Sequence, residues 1–351
     1  MTLGHCEERS DEAIQWREAG LLRFARNDNF LMIDPDSLAR FAADLDALLA
    51  PGERIGLAVS GGPDSLALLL LAAAARPGLV AAASVDHALR AGSRGETEEV
   101  ARLCEPLGVP HEILTIDWPM PPTSALQEQA RVARYRALGA WAGSKDLAAI
   151  ATGHHADDQA ETLIMRLVRG AGVRGLAAMR ALAPLPGAGD VSLLRPLLGW
   201  RRSELEAIVA GAGIAAADDP SNHDDRHERV RVRRQLAEAR WLDPAQLANS
   251  CAHLADADRA IEWAAAREYA AVRSAGDALH YRPGDAPPEI RRRVAARLIA
   301  ALAGEGDGEM LRGRELDRLL GELDAGRSTT LRGVQASGGP EWRFCRAPPR
   351  R

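Results

Sequence analysis

The chain has 351 residues, 46% of them hydrophobic and 26% charged, with a formal net charge of −5. That length has room for one large domain and a smaller one, and no run of about eighteen uncharged apolar residues is present to cross a membrane. The four cysteines, Cys6, Cys104, Cys251 and Cys345, are scattered with no CxxC pair, which argues against a zinc or iron–sulfur site and for reduced thiols in the cytoplasm.

Residues 1–31 mix charges without a helical stripe and lack the apolar core of a secretion signal. They read as a poorly ordered extension, with Met32 as an alternative start. From Asp36 a helix, SLARFAADLDALL, leads into the apolar strand 55–59, the turn SGGPDS (60–65) and an Ala/Leu-rich helix to Ala75. LVAAASVDH is a second strand, GETEEVARLCEPLG a helix, HEILTI a third strand and ALQEQARVARYRALGAWAG a long helix. LAAIATG is a fourth strand and HHADDQAETLIMRLVRG the helix after it. LAPLPGAGD (182–190) reads as a Pro/Gly-rich loop, RPLLGWRRSELEAIVAGAGI as a strand plus helix, and AAADDPSNHDDRHE as a polar loop. Strands alternating with helices predict an α/β fold, a parallel twisted sheet with helices on both faces. Near residue 241 the pattern turns helical, so a smaller, mainly helical domain (241–351) with a terminal hairpin (STTLRGVQ, EWRFCR) is expected after a domain at 32–240.

In such sheets ligands sit beyond the carboxyl ends of the strands, so the chemistry is expected in SGGPDS, VDHALR and TGHHADD. Gly61 and Gly62 permit close backbone approach, Pro63 sets the helix entry, and Asp64 and Ser65 stand at the helix start. Amides at a helix N-terminus favour an anion, although a tight turn with no ligand has the same local features. The chain has a single lysine, Lys145, so a Walker A loop is impossible, and the GxGxxG dinucleotide fingerprint is absent after this strand. What remains is a lysine-free loop, Ser60 to Ser65, whose amides suit a pyrophosphate and whose Asp64 suits the Mg²⁺ that accompanies ATP.

VDHALR places Asp86, His87 and Arg90 at a strand end, either as a polar exit or as nucleotide or substrate contacts. At about 100° per residue, His154, Asp157, Asp158 and Glu161 share one sector of their helix, and Ala160, Leu163, Ile164 and Leu167 another. Four ionisable groups at a strand's carboxyl end favour catalysis or nucleotide contact over a solvated helix face. A zinc site finds no third ligand at a usual spacing. Arg131 and Arg134, one turn apart, are a solvated face or contacts to a polyanion. Arg226, Arg229, Arg231, Arg233 and Arg234 make a dense basic patch suited to a nucleic-acid backbone, unless they merely balance Asp224, Asp225 and Glu228.

SGGPDS resembles the SGGxDS loop of the PP-loop ATP pyrophosphatases. VDHALR, the QARVARY helix, TGHHADDQAETLIMRLVRGAGVRGLAAM, RPLL and DDPSNHDDRHERVRVRR are similar, in order, to the motifs of the bacterial tRNA(Ile)-lysidine synthetase family, over about residues 50–240. Val230 departs from the family, which usually has Asn within this Arg-Asn-Arg stretch. The resemblance implies an ATP-dependent ligase acting on the isoleucine tRNA with a CAU anticodon. The 2-carbonyl oxygen of its wobble cytidine is adenylated, and free L-lysine then displaces AMP to give lysidine, with pyrophosphate as the other product. It implies Ser60, Gly61, Gly62, Pro63, Asp64, Ser65, Asp86 and His87 as nucleotide contacts, with Asp64 also holding Mg²⁺. His154 and Glu161 belong to the reaction centre and Arg134 stabilises charge. Arg90, Arg131, Asp157, Asp158, Arg229, Arg231 and Arg233 are assigned to substrate and tRNA, the helical domain to tRNA, and a homodimer stays open. A tRNA-thiolating relative is disfavoured by the dispersed cysteines. An amidotransferase would need a glutaminase domain, and a non-catalytic nucleotide-binding module would leave the carboxylate-rich helix and the arginine patch without a role.

Overall fold

Two nearly continuous apolar runs, Ile55–Ala58 (β1) and Val80–Asp86 (β2), lie side by side in parallel, with Ile55 opposite Val80. Strands this uniformly apolar need cover on both faces, and the computed structural model supplies it. It describes residues 33–88, 93–118, 126–217, 225–303 and 313–348. The extension 1–31 and Arg90 lie outside the described residues, as does most of the polar loop before Arg226.

Six strands run in the order β3-β2-β1-β4-β6-β5, with β3 at His111–Thr115, β4 at Ala149–Ala151, β5 at Leu182–Leu185 and β6 at Ala188–Leu194. All neighbours pair in parallel except β5, which returns antiparallel along β6 at the edge. One face is covered by α1 (Pro35–Asp46), α2 (Pro63–Ala75), α3 (Ser93–Cys104) and α7 (Arg202–Gly211). Leu66 to Ala73 of α2 are each at most 3% exposed, because the helix lies between the sheet and α1 and α7. A helix apolar all round is what such a position demands. The other face is covered by α4 (Leu126–Ser144), through Tyr135, Leu138 and Trp141.

The segment 182–190, expected as a loop, is instead the β5–β6 hairpin, turning at Pro186 and at Gly187, whose φ is +78°. Pro184 sits in the edge strand, where a missing amide costs least, and the ladder slips beside it. The strand expected at RPLL is displaced accordingly: β6 ends at Leu194 and Arg195 begins the turn beyond it.

The strand order departs from β1 in both directions, to β2 on one side and β4 on the other. That is a topological switch point, where a crevice opens beyond the carboxyl ends. The loop after β4 leads into α5 (Ala156–Val168), followed by the short α6 (Val173–Leu176) and later by α8 (Glu228–Glu238) and α9 (Pro244–Tyr269).

The chain divides into two compact units inside α9, after Ala252. The second unit is more than a helical domain. Beside α10 (Pro288–Leu302) and α11 (Gly313–Asp324) it holds a five-stranded antiparallel sheet, β7-β8-β11-β10-β9. The expected hairpin supplies β9 (Ser328–Leu331), β10 (Val334–Ser337) and β11 (Trp342–Arg346); β7 (Arg273–Ala275) and β8 (Ala278–Tyr281) are additional. Leu316, Leu319, Leu320 and Leu323 form the apolar stripe of α11 against Val334, Trp342 and Phe344. Arg293 is 5% exposed and donates to Asp258 at 2.6 Å, Glu262 at 2.8 Å and Glu289 at 3.0 Å. Removing one member of a buried ion network strands the others. Arg293→Ala is expected to lower stability by about 3–5 kcal/mol, read as a drop in the urea midpoint; a loss under about 1 kcal/mol would mean that Asp258 is solvated.

Candidate active site

The phosphate-type loop is shaped by its own hydroxyls. Ser65 Oγ donates to the Gly62 carbonyl at 2.9 Å and accepts from the Ser60 amide at 3.1 Å, with Ser60 Oγ 3.2 Å away. Gly61 takes a φ of +87°, and the helix cap at Gly62 has no side-chain hydrogen bond. The first-turn amides of α2 are thus left to solvent or an anion. At this helix start, Asp64 Oδ1 is buried with no hydrogen-bond partner. An anionic oxygen unclaimed by any protein donor fits a hard cation such as Mg²⁺. Among the described residues no three His, Cys, Asp or Glu side chains cluster as a metal site, so such an ion would draw its remaining ligands from phosphates and water. A cavity of about 270 Å³ lies beside Gly61, between Glu96, Glu99, Val100 and Ala217, away from the histidines of the β4 end.

The β4 loop presses directly on this one. A Cβ on Gly153 would stand 2.7 Å from the Asp64 carbonyl oxygen and 3.0 Å from the Ser65 nitrogen, so only glycine lets the two loops meet. The residues on either side are thereby placed at the switch point. Thr152 Oγ1 lies 2.8 Å from His154 Nδ1. Burial, followed by the Arg195, Arg134 and Arg229 charges, outweighs the attraction of Asp158 and lowers the His154 pKa to about 3. His154 is neutral.

His155, unassigned in the sequence reading, is 2% exposed and begins α5. Its Nε2 lies 3.4 Å from Asp64 Oδ2 and 3.5 Å from Asp158 Oδ2, and its amide donates to Asp158 Oδ2 at 3.1 Å. Burial alone would lower its pKa, but the Asp64 contact and the Asp158, Asp64 and Asp157 charges together raise it. Asp158 is held below the usual carboxylate range: burial works against this, and His155, Arg229 and His154 outweigh it.

The sector of four groups splits. Asp158 and Glu161 face inward, whereas Asp157 accepts from the Arg202 amide at 2.9 Å and from the Arg201 guanidinium at 3.3 Å, tying α5 to α7. Glu161, 1% exposed, accepts from Arg229 Nε at 2.7 Å and Arg233 Nε at 2.5 Å. The arginine run is therefore two faces of α8. Arg229 and Arg233 reach the buried acid, while Arg231 donates outward to the Asp225 and Arg226 carbonyls at 2.8 and 3.0 Å, and Arg234 pairs with Asp225.

At the β2 end, Asp86 Oδ1 accepts from the Ala88 amide at 2.9 Å, and the His87 carbonyl accepts from Trp118 Nε1 at 2.8 Å. His87 Nδ1 is buried without a partner, and burial with Arg134 lowers its pKa. Arg131 and Arg134 both stack near Tyr135, at 5.0 and 5.1 Å from its ring centre. Besides His155 and Gly153, the sequence reading gave no role to Arg195, which is 7% exposed at the end of β6.

A family model described as the PP-loop domain matches residues 36–240. A tRNA(Ile)-lysidine synthase of Novosphingobium aromaticivorans is 49% identical over 314 residues, covering 89% of this chain and 94% of the relative. One from Zymomonas mobilis is 42% identical over 301 residues, covering 85% and 90%. Among solved structures, the U34-tRNA thiolase NcsA from Methanococcus maripaludis superposes with a TM-score of 0.52 at 16% identity, over 63% of this chain and 80% of that one; that likeness extends to the fold. Cys104, Cys251 and Cys345 are buried and free here, each in a different part of the molecule.

His154 makes a pH prediction. Its folded pKa lies below the unfolded value of about 6.5, so its contribution to stability is full above that value and is lost as pH falls toward about 3. His154→Asn should lose less melting temperature than the parent between pH 7 and pH 5; equal losses would show that His154 is not held neutral.

Proposed function

The chain belongs to the family of tRNA(Ile)-lysidine synthases, and on that premise we propose how its own residues carry out the reaction. The chemistry of the family is lysidine formation on tRNA(Ile) by an ATP-using PP-loop domain. The finer reading is that the wobble cytidine of the CAU anticodon is adenylated at its 2-carbonyl oxygen. An amine of free L-lysine then displaces AMP. The cytoplasm is the compartment that this substrate set suits.

The observation that supports this most is the contact of Gly153 with the Asp64 backbone, which sets a phosphate loop against an acid- and histidine-bearing helix start. Each half suits one half of the reaction. Loop amides from Ser60 to Ser65 bind the phosphates, and Asp86 and His87 border the nucleotide. Mg²⁺ held by Asp64 would offset charge on the pyrophosphate leaving group. His155 holds Asp64 in place from behind, at 3.4 Å.

The second half needs an amine delivered without its proton. Asp158, kept ionised by its neighbours, attracts the ammonium form. His154, kept neutral, does not repel it; the Thr152 hydroxyl donates to the Leu194 carbonyl, so Nδ1–H donates to that hydroxyl and Nε2 is left as a hydrogen-bond acceptor. Glu161 orients Arg229 and Arg233 at the mouth of the site. Arg134 stabilises charge at the adenylated base. Arg131 and the outer face of α8, with Arg231, are left for tRNA phosphates, a term that weakens with salt.

ATP should be split to AMP and pyrophosphate, with turnover requiring both tRNA and lysine; accumulation of ADP, or turnover indifferent to lysine, contradicts the reading. Asp64→Asn should reduce lysidine formation roughly 100-fold or more in a chain that still melts in one cooperative transition, its midpoint lowered only by the lost His155 contact, measured by nucleoside mass analysis beside a thermal melt.

A further inference from the structure

Buried charge in the first unit is generally answered by opposite charge. Glu161 has two arginines, and His155 has three carboxylates within 3.7 Å. Arg195 is different. It is 7% exposed, its Nη1 donates to the Arg180 carbonyl at 2.7 Å, and its Nε is buried without a partner. No carboxylate pairs with it among the described residues. Arg134 repeats the pattern, with Nε buried and unpartnered and its guanidinium 5.1 Å from the Tyr135 ring. Arg131 lies over the same ring, and Tyr135 is also the neighbour of Arg195.

Three guanidiniums thus converge on one buried tyrosine with no acid among them. A buried unpaired cation is costly, and buried donors without acceptors call for an occupant. The planar edge of an arginine, Nε with one Nη, matches an oxyanion.

The place also has a direction. The Thr152 amide donates to the carbonyl of Leu194, the residue before Arg195, so this cluster adjoins the β4 end. His154 lies near enough to Arg195 and Arg134, and also to Asp158, to feel the charge of each. Both signs of charge therefore stand at the β4 end, which suits a small ligand with an anionic and a cationic group. ATP phosphates have the loop amides of α2, and a polymer phosphate, flanked by its sugars, does not fit a position this enclosed. A free carboxylate does.

We propose that Arg195, beside Arg134, binds the α-carboxylate of the amino-acid substrate, leaving the reactive amine toward Asp158. This rests on the reading of free lysine as that substrate. It makes Arg195 a specificity residue: an amine without the carboxylate would lose this contact.

The test is steady-state ligation of the amine to the tRNA, followed by AMP release and nucleoside mass, for the full chain and for Arg195→Met, uncharged and of similar length, with lysine or with 1,5-diaminopentane, which lacks the carboxylate. Arg195→Met should raise KM for lysine roughly 10- to 100-fold, with KM for ATP and Kd for tRNA within about twofold. The parent should prefer lysine to the diamine by a similar factor, and the variant should have lost that preference. An unchanged KM for lysine, or weaker tRNA binding with a shallower salt dependence in its place, overturns the assignment. If the variant does not fold, the parent decides: lysine must raise its melting temperature in the presence of ATP more than the diamine does, and equal shifts refute the proposal. A parent that makes no lysidine at all refutes the reading beneath it, whereas a parent that makes it alongside an unaffected variant refutes only the role of Arg195.

Discussion

The close approach of Gly153 to the backbone of Asp64 and Ser65 is the contact on which the site depends. It is a steric permission, made by the absence of one carbon. With it, the loops after β1 and β4 meet at the switch point, and everything chemical follows from their meeting. Asp64 is placed within reach of His155, the start of α5 is fixed beside the start of α2, and two helix N-termini converge on one crevice. Two such ends attract anions and stabilise carboxylates nearby, which suits both a triphosphate and the acids Asp157 and Asp158 in the first turn of α5.

Charge is arranged around this contact by compensation rather than by bulk. The chain is acidic overall, with a formal net charge of −5, yet the crevice draws arginines from several elements: Arg134 from α4, Arg195 from the end of β6, Arg229 and Arg233 from α8. Those facing Glu161 are neutralised and serve to lock α8 on α5, supported by the Arg169–Glu228 pair. Those around Tyr135 are not. A protein tolerates such an imbalance where a ligand restores it.

Much of this was legible in the sequence, and the exceptions have physical causes. The alternation of apolar strands with helices predicted the sheet, and SGGPDS marked the phosphate loop. The β5–β6 hairpin escaped because its Pro and Gly, read as loop residues, are tolerated on an edge strand. β7 escaped because Arg273–Ala275 is short and exposed, with no apolar alternation. The division of the arginine run could have been read from helical phase. Arg229 and Arg233 are about 40° apart on a helix, while Arg231 is about 160° from either. The same arithmetic cannot separate Asp157 from Asp158, because their partners come from α7 and from the preceding loop. Arg195 and Gly153 are tertiary facts: nothing local distinguishes a buried arginine from a solvated one, or a glycine under contact from one in a turn.

The adjacent histidines show why local sequence stops short of chemistry. His154 and His155 are identical side chains on consecutive residues, and burial disfavours the charged form of both. His155 has carboxylates near both ring nitrogens, so its pKa rises; by linkage it adds stability that is fully present below about pH 6.5 and fades as pH climbs through the raised value. At His154 burial, aided by the Arg195, Arg134 and Arg229 charges, outweighs Asp158, so its pKa falls and its contribution runs the opposite way. One ring is thereby suited to hold an acid in place, and the other to accept a hydrogen bond from an incoming amine. The difference between them lies in which charged side chains the fold gathers around each ring, a property of the tertiary structure rather than of the residue.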